Sequence, residues 1–221
     1  MTQFPSLTIG ATTFAWGKQT YLMGIINVTP DSFSGDGLIH GGEWVAAAVN
    51  QATQHVAAGA HILDVGGEST RPGSQPLPLE EELLRVIPAV RAIAASVNVP
   101  ISIDTYKAEA ARQAIEAGAT IVNDVWGLRM DSDLARVVAD SGVAVVLMHN
   151  RSKPKDAAQS AQLGGRYIGV EYEELMRDIK RELSESIELA LKAGVKPERI
   201  IIDPGIGFGK TVEQNLELVD R

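Results

Sequence analysis

The chain has 221 residues, 45% of them hydrophobic and 22% charged, which suits one globular domain with a sizeable core and excludes a disordered chain. Twenty Lys and Arg against 28 Asp and Glu give a formal net charge of -8, which argues against nucleic acid as a partner. There is no cysteine for a disulfide or a zinc–thiolate site, no basic-then-apolar leader in Met1-Thr2-Gln3-Phe4-Pro5, and no apolar run of about 18 residues to span a membrane, so a cytoplasmic location is expected.

In chain order, residues 7–21 carry their own turn signal and predict a β-hairpin. Six short runs rich in β-branched residues then follow, at 21–28, 62–66, 99–104, 120–125, 143–149 and 199–203. Their apolar residues stand side by side without strict alternation, as in strands buried on both faces. Between them lie helical patterns. Segment 79–96 spaces Leu83, Ile87, Val90 and Ile93 along one face after the acidic turn Glu80–Glu82, and segment 171–194 sets Leu175, Ile179, Leu183, Ile187 and Leu191 four apart. Gly59, Gly118, Gly142 and Gly194 sit where helix C-caps are expected. Six strand–helix repeats imply a parallel sheet, either doubly wound or closed into a (β/α)8 barrel, in a single domain over 1–221. The insertion 150–169, rich in Lys, Ser, Gln and Gly, reads as a mobile or functional loop.

Nearly every strand run ends in a hydrogen-bonding side chain: Asn27, Asp64, Asp104, Asn123, His149 and Asp203. Ligands of parallel α/β folds bind at the carboxyl ends of strands, and a buried Asp or Asn is costly unless paired, so six of them point to a polar ligand site. DPGIGFGK (203–210) looks like a phosphate loop but fails both the Walker and the dinucleotide spacings. A strand ending in a carboxylate, then a permissive turn, is what remains. Loops 27–34 and 66–73 bring Asn27, Thr29, Asp31 and Ser32, then Arg71 between Pro72 and Gly73, groups suited to a hard cation and to an anion. The four histidines lack metal-ligand spacing.

The strings MGIINVTPDSFSGDG (23–37), ILDVGGESTRPG (62–73), ISIDTYK (101–107), IVNDV (121–125), VLMH (146–149) and IIDPGIGFGK (201–210), in that order, resemble the dihydropteroate synthase family. The resemblance implies a (β/α)8 TIM barrel preceded by the hairpin, with about six of the eight strand–helix units present. It implies condensation of hydroxymethyl-dihydropterin diphosphate with para-aminobenzoate, releasing pyrophosphate, with Mg2+ as cofactor and a homodimer as the assembly. Carried over by position, Asp203 would accept from the pterin edge, Asn123 would pair with its mixed edge, and Asp104 would stand at the ring nitrogen. Val125, Met148, Gly207 and Phe208 would wall the ring. Asn27 would meet the diphosphate and its Mg2+, while Phe33, Thr70, Arg71 and Pro72 would close over the aminobenzoate. Asp104, Arg71 and Asn27 are the expected catalytic residues.

Three departures from the family pattern stand out. Gly35 precedes Asp36, shifting the acidic group by one, and Asn150-Arg151-Ser152-Lys153-Pro154 is an unusual start to its loop. The chain also stops before the Ser-Arg-Lys and Arg-x-His segments that the resemblance leads one to expect. Two rival readings share the pterin site, namely a methyltetrahydrofolate-binding methyltransferase barrel and a non-catalytic, truncated pterin-binding paralogue.

Overall fold

Residues 6–29, 43–68, 76–151, 158–159, 167–168 and 171–221 are described by a computed structural model. The expected hairpin is β1 (Leu7–Ile9) against β2 (Thr12–Phe14), antiparallel with Thr8 opposite Thr13. Six strands then build one parallel sheet: β3 (Met23–Asn27), β4 (Ile62–Gly66), β5 (Ile101–Asp104), β6 (Ile121–Asp124), β7 (Ala144–Met148) and β10 (Ile200–Asp203). The helices α1 (Glu43–Ala57), α2 (Leu79–Ala94), α3 (Ala108–Ala117), α4 (Leu134–Ser141), α5 (Leu175–Ala193) and α6 (Val212–Asp220) follow them in turn. Inside the 150–169 insertion, β8 (Ala158–Gln159) pairs with β9 (Tyr167–Ile168).

Strand order decides between the two architectures. A doubly wound sheet reverses order at a switch point, whereas here each strand lies beside its predecessor from β3 to β10. That is the winding of a (β/α)8 barrel, six units of it. Full burial holds for the central β4 and β7 but not for β3 and β10, which are the sheet edges among the described residues; Ile25 is 57% exposed and Ile202 54%.

Alternation along the strands sends one set of residues to the helices and the other inward. Ile26, Leu63, Val65, Ile103, Val122, Val145 and Leu147 pack under Val86, Val90, Ile93, Leu134 and Val138 of the helix layer. On the inner face, Ile62, Ile121, Ala144 and Val146 are covered by Leu7, Ile9 and Phe14 of the hairpin. Phe14 stacks on Trp16 at 5.2 Å and meets the edge of Tyr21 at 4.9 Å. Since Ile62, Ile121 and Ala144 begin their strands, this apolar plug seals the amino end and leaves the carboxyl end to polar residues.

Gly118, Gly142 and Gly194 cap α3, α4 and α5 with positive φ, as their positions suggested. The α5 stripe is only partly as expected. Leu175, Ile179 and Leu183 are buried, but Leu191 is 42% exposed and the inner face passes to Ser186 and Ala190. Residues four apart advance about 40° per step, so a strict i+4 row drifts off the buried face within three turns.

Phe14→Ala should lower the unfolding free energy by about 3–5 kcal/mol in urea titrations, while Thr8→Ala, on the exposed side of the hairpin, should change it by under about 1 kcal/mol.

Candidate active site

The parallel register carries the site. Gly66 is level with Asp104, and Asp104 is level with Asn123, so neighbouring strands present their inward side chains at one height. Gly66 leaves room for this: a Cβ there would come within 3.3 Å of the Asp104 carboxylate. Asp64 stands one layer lower, in the middle of β4 rather than at its end, level with Ser102. From there its Oδ2 accepts from Asn123 Nδ2 at 3.1 Å. Asp64 is therefore a support that fixes which way the Asn123 amide faces, a role the spacing of the strand ends does not reveal.

Above this level lies an apolar wall. Val125, Trp126 and Met148 form one buried cluster, with Tyr106 and Phe208 packed against it. Val125, Met148 and Phe208 had been expected together; Tyr106 and Trp126 had not, although both sit beside the polar strand ends. The turn that carries Val125 and Trp126 is held by Asp124, whose carboxylate accepts from the backbone N–H of Trp126 at 2.8 Å and of Leu128 at 2.5 Å. Leu128 adopts φ 64, a strained value for a leucine that the Asp124 bond helps to hold.

Across the sheet, Asp203 ends β10 opposite Met148, and its Oδ1 accepts from Gly205 N at 2.7 Å. Gly205 requires glycine on two counts, φ 71 and a virtual Cβ only 2.0 Å from the His149 carbonyl oxygen. Gly207 is exposed and Phe208 half-buried, so both front the open carboxyl end. Asn27 closes β3 with an exposed side chain beside Gly66. Phe33, Asp36, Thr70, Arg71 and Pro72 lie outside the described residues.

His149 departs from the strand-end pattern. It follows β7, is 1% exposed, and turns away from Asp104 and Asn123 to lie 3.1 Å from Glu182 of α5 and 3.2 Å from Lys210.

The electrostatics are unusual for a group of carboxylates. Burial, then the negative charges of Asp64, Asp124, Glu82 and Glu68, hold Asp104 well above the usual carboxylate range. Burial also raises Asp64, opposed by its neighbours Ser102 and Asn123. Asp124 is pushed up to about 6 by burial, against the pull of its two backbone N–H donors. Two lysine-centred ties stiffen the outer rim, where Lys107 Nζ donates to Glu68 at 2.6 Å and to Glu82 at 2.5 Å. Among the described residues no group of three or more His, Cys, Asp or Glu is arranged to hold a metal, and no helix is long and apolar enough to cross a membrane.

A row of polar side chains beside an apolar wall, at the carboxyl end of a barrel-ordered sheet, has the chemistry to take a planar heterocycle with a hydrogen-bonding edge. The sequence matches the family model for pterin binding enzymes over residues 23–221. The chain belongs to the pterin-binding enzyme family. It is 48% identical over 215 residues to dihydropteroate synthase of Clostridium beijerinckii, covering 97% of this chain and 73% of that protein. Among solved structures, dihydropteroate synthase of Clostridium difficile, determined in the presence of pteroic acid, matches at 45% identity with a TM-score of 0.82, covering 94% of this chain and 72% of that one. The Xanthomonas albilineans enzyme with 4-aminobenzoic acid matches at 40% identity and a TM-score of 0.84, covering 98% and 72%. Members of this pterin-binding family thus share the barrel seen here, and the relatives are longer than this chain.

A carboxyl raised by folding holds its proton more tightly folded than unfolded. Its contribution is favourable at low pH and turns unfavourable as pH rises past the unfolded value near 3.9. Asp104→Asn should therefore raise the thermal midpoint at pH 8, by about 2–4 °C for each kcal/mol relieved, and the gain should vanish toward about pH 4. Equal midpoints at pH 8 would remove the claim that Asp104 is electrostatically strained.

Proposed function

We propose that this chain acts as a single pterin-binding barrel domain with dihydropteroate synthase activity, condensing hydroxymethyl-dihydropterin diphosphate with para-aminobenzoate and releasing pyrophosphate. The observation that carries this reading is the alignment of Asp104 and Asn123 on adjacent strands, with Asp203 across the sheet and the Val125–Met148–Phe208 wall between. Identity of 48% to a named dihydropteroate synthase supports it.

The residues divide the work as follows. Asp203 accepts from the adjacent N–H donors of the pterin amide and amino edge. Asn123, oriented by Asp64, offers both a donor and an acceptor to the mixed edge of the ring. Val125, Met148 and Phe208 contact the ring faces, and the Gly207 backbone approaches closely because no side chain intervenes. Asp104 stands at the ring nitrogen. As the diphosphate departs, the ring becomes electron-poor, and a carboxylate that is costly to ionise in the free protein is repaid there by the developing positive charge. Attack by the arylamine on the exocyclic carbon, with loss of one amine proton to solvent, completes the transfer, and no protein nucleophile is required.

The donor set suits Mg2+ that enters with its diphosphate. Asn27 offers one exposed amide oxygen, and magnesium is commonly bound through few protein ligands with the rest supplied by phosphate and water. When bound, the ion neutralises charge on the departing diphosphate. Phe33, Thr70, Arg71 and Pro72 are assigned to the aminobenzoate side by sequence position alone. A cytoplasmic homodimer completes the reading.

Pyrophosphate release from the dihydropterin diphosphate, dependent on both para-aminobenzoate and Mg2+, is the direct test; no release would leave a non-catalytic pterin-binding chain. Asp203→Ala should weaken pterin binding at least about tenfold, from hydrogen bonds of about 1–3 kcal/mol each. Unchanged affinity in calorimetry would take Asp203 out of the site.

A further inference from the structure

Lys210 closes the DPGIGFGK segment and is only 3% exposed. A buried ammonium is costly unless its donors are met. Here all three are. Nζ donates to the Gly205 carbonyl at 2.9 Å and to the Phe208 carbonyl at 3.0 Å, and its third contact is His149 Nδ1 at 3.2 Å. The two carbonyls belong to the two ends of the turn that presents Gly207 and Phe208.

The partner side of the ammonium is itself fixed. Because Nδ1 accepts from Lys210, the histidine ring carries its proton on Nε2 and donates it to Glu182 at 3.1 Å. Burial, reinforced by the Lys210 charge, pushes His149 down to about 4, in keeping with a neutral ring. Glu182 is held in turn by Arg151, whose Nε and Nη2 donate at 2.9 and 2.6 Å, and Arg151 pairs with Asp178 at 2.9 Å. One chain of contacts therefore runs from α5, through the residue after β7, into the loop after β10. None of these side chains belongs to the row of Asp64, Asp104 and Asn123.

We propose that Lys210 is a positioning residue for pterin recognition, clamping the Gly205 and Phe208 carbonyls so that the Gly207 backbone and the Phe208 ring meet the ligand in one arrangement, with His149 and Glu182 holding the ammonium in place. The proposal rests on the pterin-binding reading above. Its physical content is preorganisation: a loop already fixed loses less freedom when the ring docks.

Amide hydrogen exchange over residues 205–209 of the free protein tests the clamp without any ligand. Lys210→Met should speed exchange there about tenfold or more while α2 and α3 stay protected, and Lys210→Arg should restore much of the protection. With hydroxymethyl-dihydropterin diphosphate as probe, the same variant should raise KM for the pterin about tenfold and leave KM for para-aminobenzoate unchanged. Exchange in Lys210→Met as slow as wild type, or acceleration spread evenly over the sheet, would overturn the proposal. If Lys210→Met does not fold, Glu182→Gln takes its place, with a smaller acceleration confined to 205–209 expected and no acceleration counting against the clamp. Wild-type protein that fails to bind the pterin probe would strike the functional reading, while the exchange result would still decide the clamp.

Discussion

Everything distinctive about this protein depends on the register of parallel strands at their carboxyl ends. Pairing Gly66 with Asp104 and Asp104 with Asn123 sets the hydrogen-bonding side chains of adjacent strands at one height on the inner face. A slip of one residue would turn Asp104 and Asn123 toward the helices and bring Ile103 and Val122 inward. The register is protected because the helix-facing residues Ile103, Val122 and Val145 are fully or almost fully buried, so a slip would expose core and bury carboxylates together. The same constraint concentrates negative charge. Asp104 feels Asp64, Asp124, Glu82 and Glu68, a gathering that works against folding and favours a ligand able to neutralise it.

The two ends of the sheet differ in character, one closed by apolar contacts and the other lined by the proposed recognition residues. Phe14, Ile9 and Leu7 seal the amino end with apolar contacts, which frees the carboxyl end from a packing role. Around the proposed recognition residues stands a set of supports, each bonded to a neighbouring side chain or backbone group. Asp64 orients Asn123, Asp124 shapes the Val125–Trp126 turn, Lys107 ties Glu68 to Glu82, and Arg85 donates to the Gly67 carbonyl at 3.0 Å. Side chains held from behind in this way lose little freedom when a rigid heterocycle arrives.

Much of the fold was legible because its signals are local. Apolar β-branched runs, glycine caps and a turn-bearing amino-terminal segment report directly on strands, helix ends and the hairpin. Strand order is not local, and only the pairing of each strand with its predecessor distinguishes the barrel winding from a doubly wound sheet. The site divides in the same way. Asp104, Asn123 and Asp203 announce themselves as polar residues inside apolar runs, and Val125, Met148 and Phe208 as neighbours of them. Asp64 looked equivalent to Asp104, but its place in mid-strand sets it one layer down as a support. His149 looked like a strand-end ligand, yet alternation past Met148 turns it toward α5. Lys210 gave no signal, because its burial follows from the fold of a turn whose φ values the sequence merely permits. Tyr106 and Trp126 were missed for a related reason: an aromatic near a polar strand end gains meaning only when tertiary packing brings it to the wall.

In the proposed reaction Asp104 is costly to ionise in the free protein and relieved by the ligand. Carbon-13 NMR titration of the Asp104 side-chain carboxyl, assigned with Asp104→Asn, measures this directly. A midpoint well above the ordinary carboxylate value of about 3.9 in the free protein, falling when a pterin ligand occupies the site, is the expected result. An ordinary midpoint in the free protein, unmoved by the ligand, would contradict it.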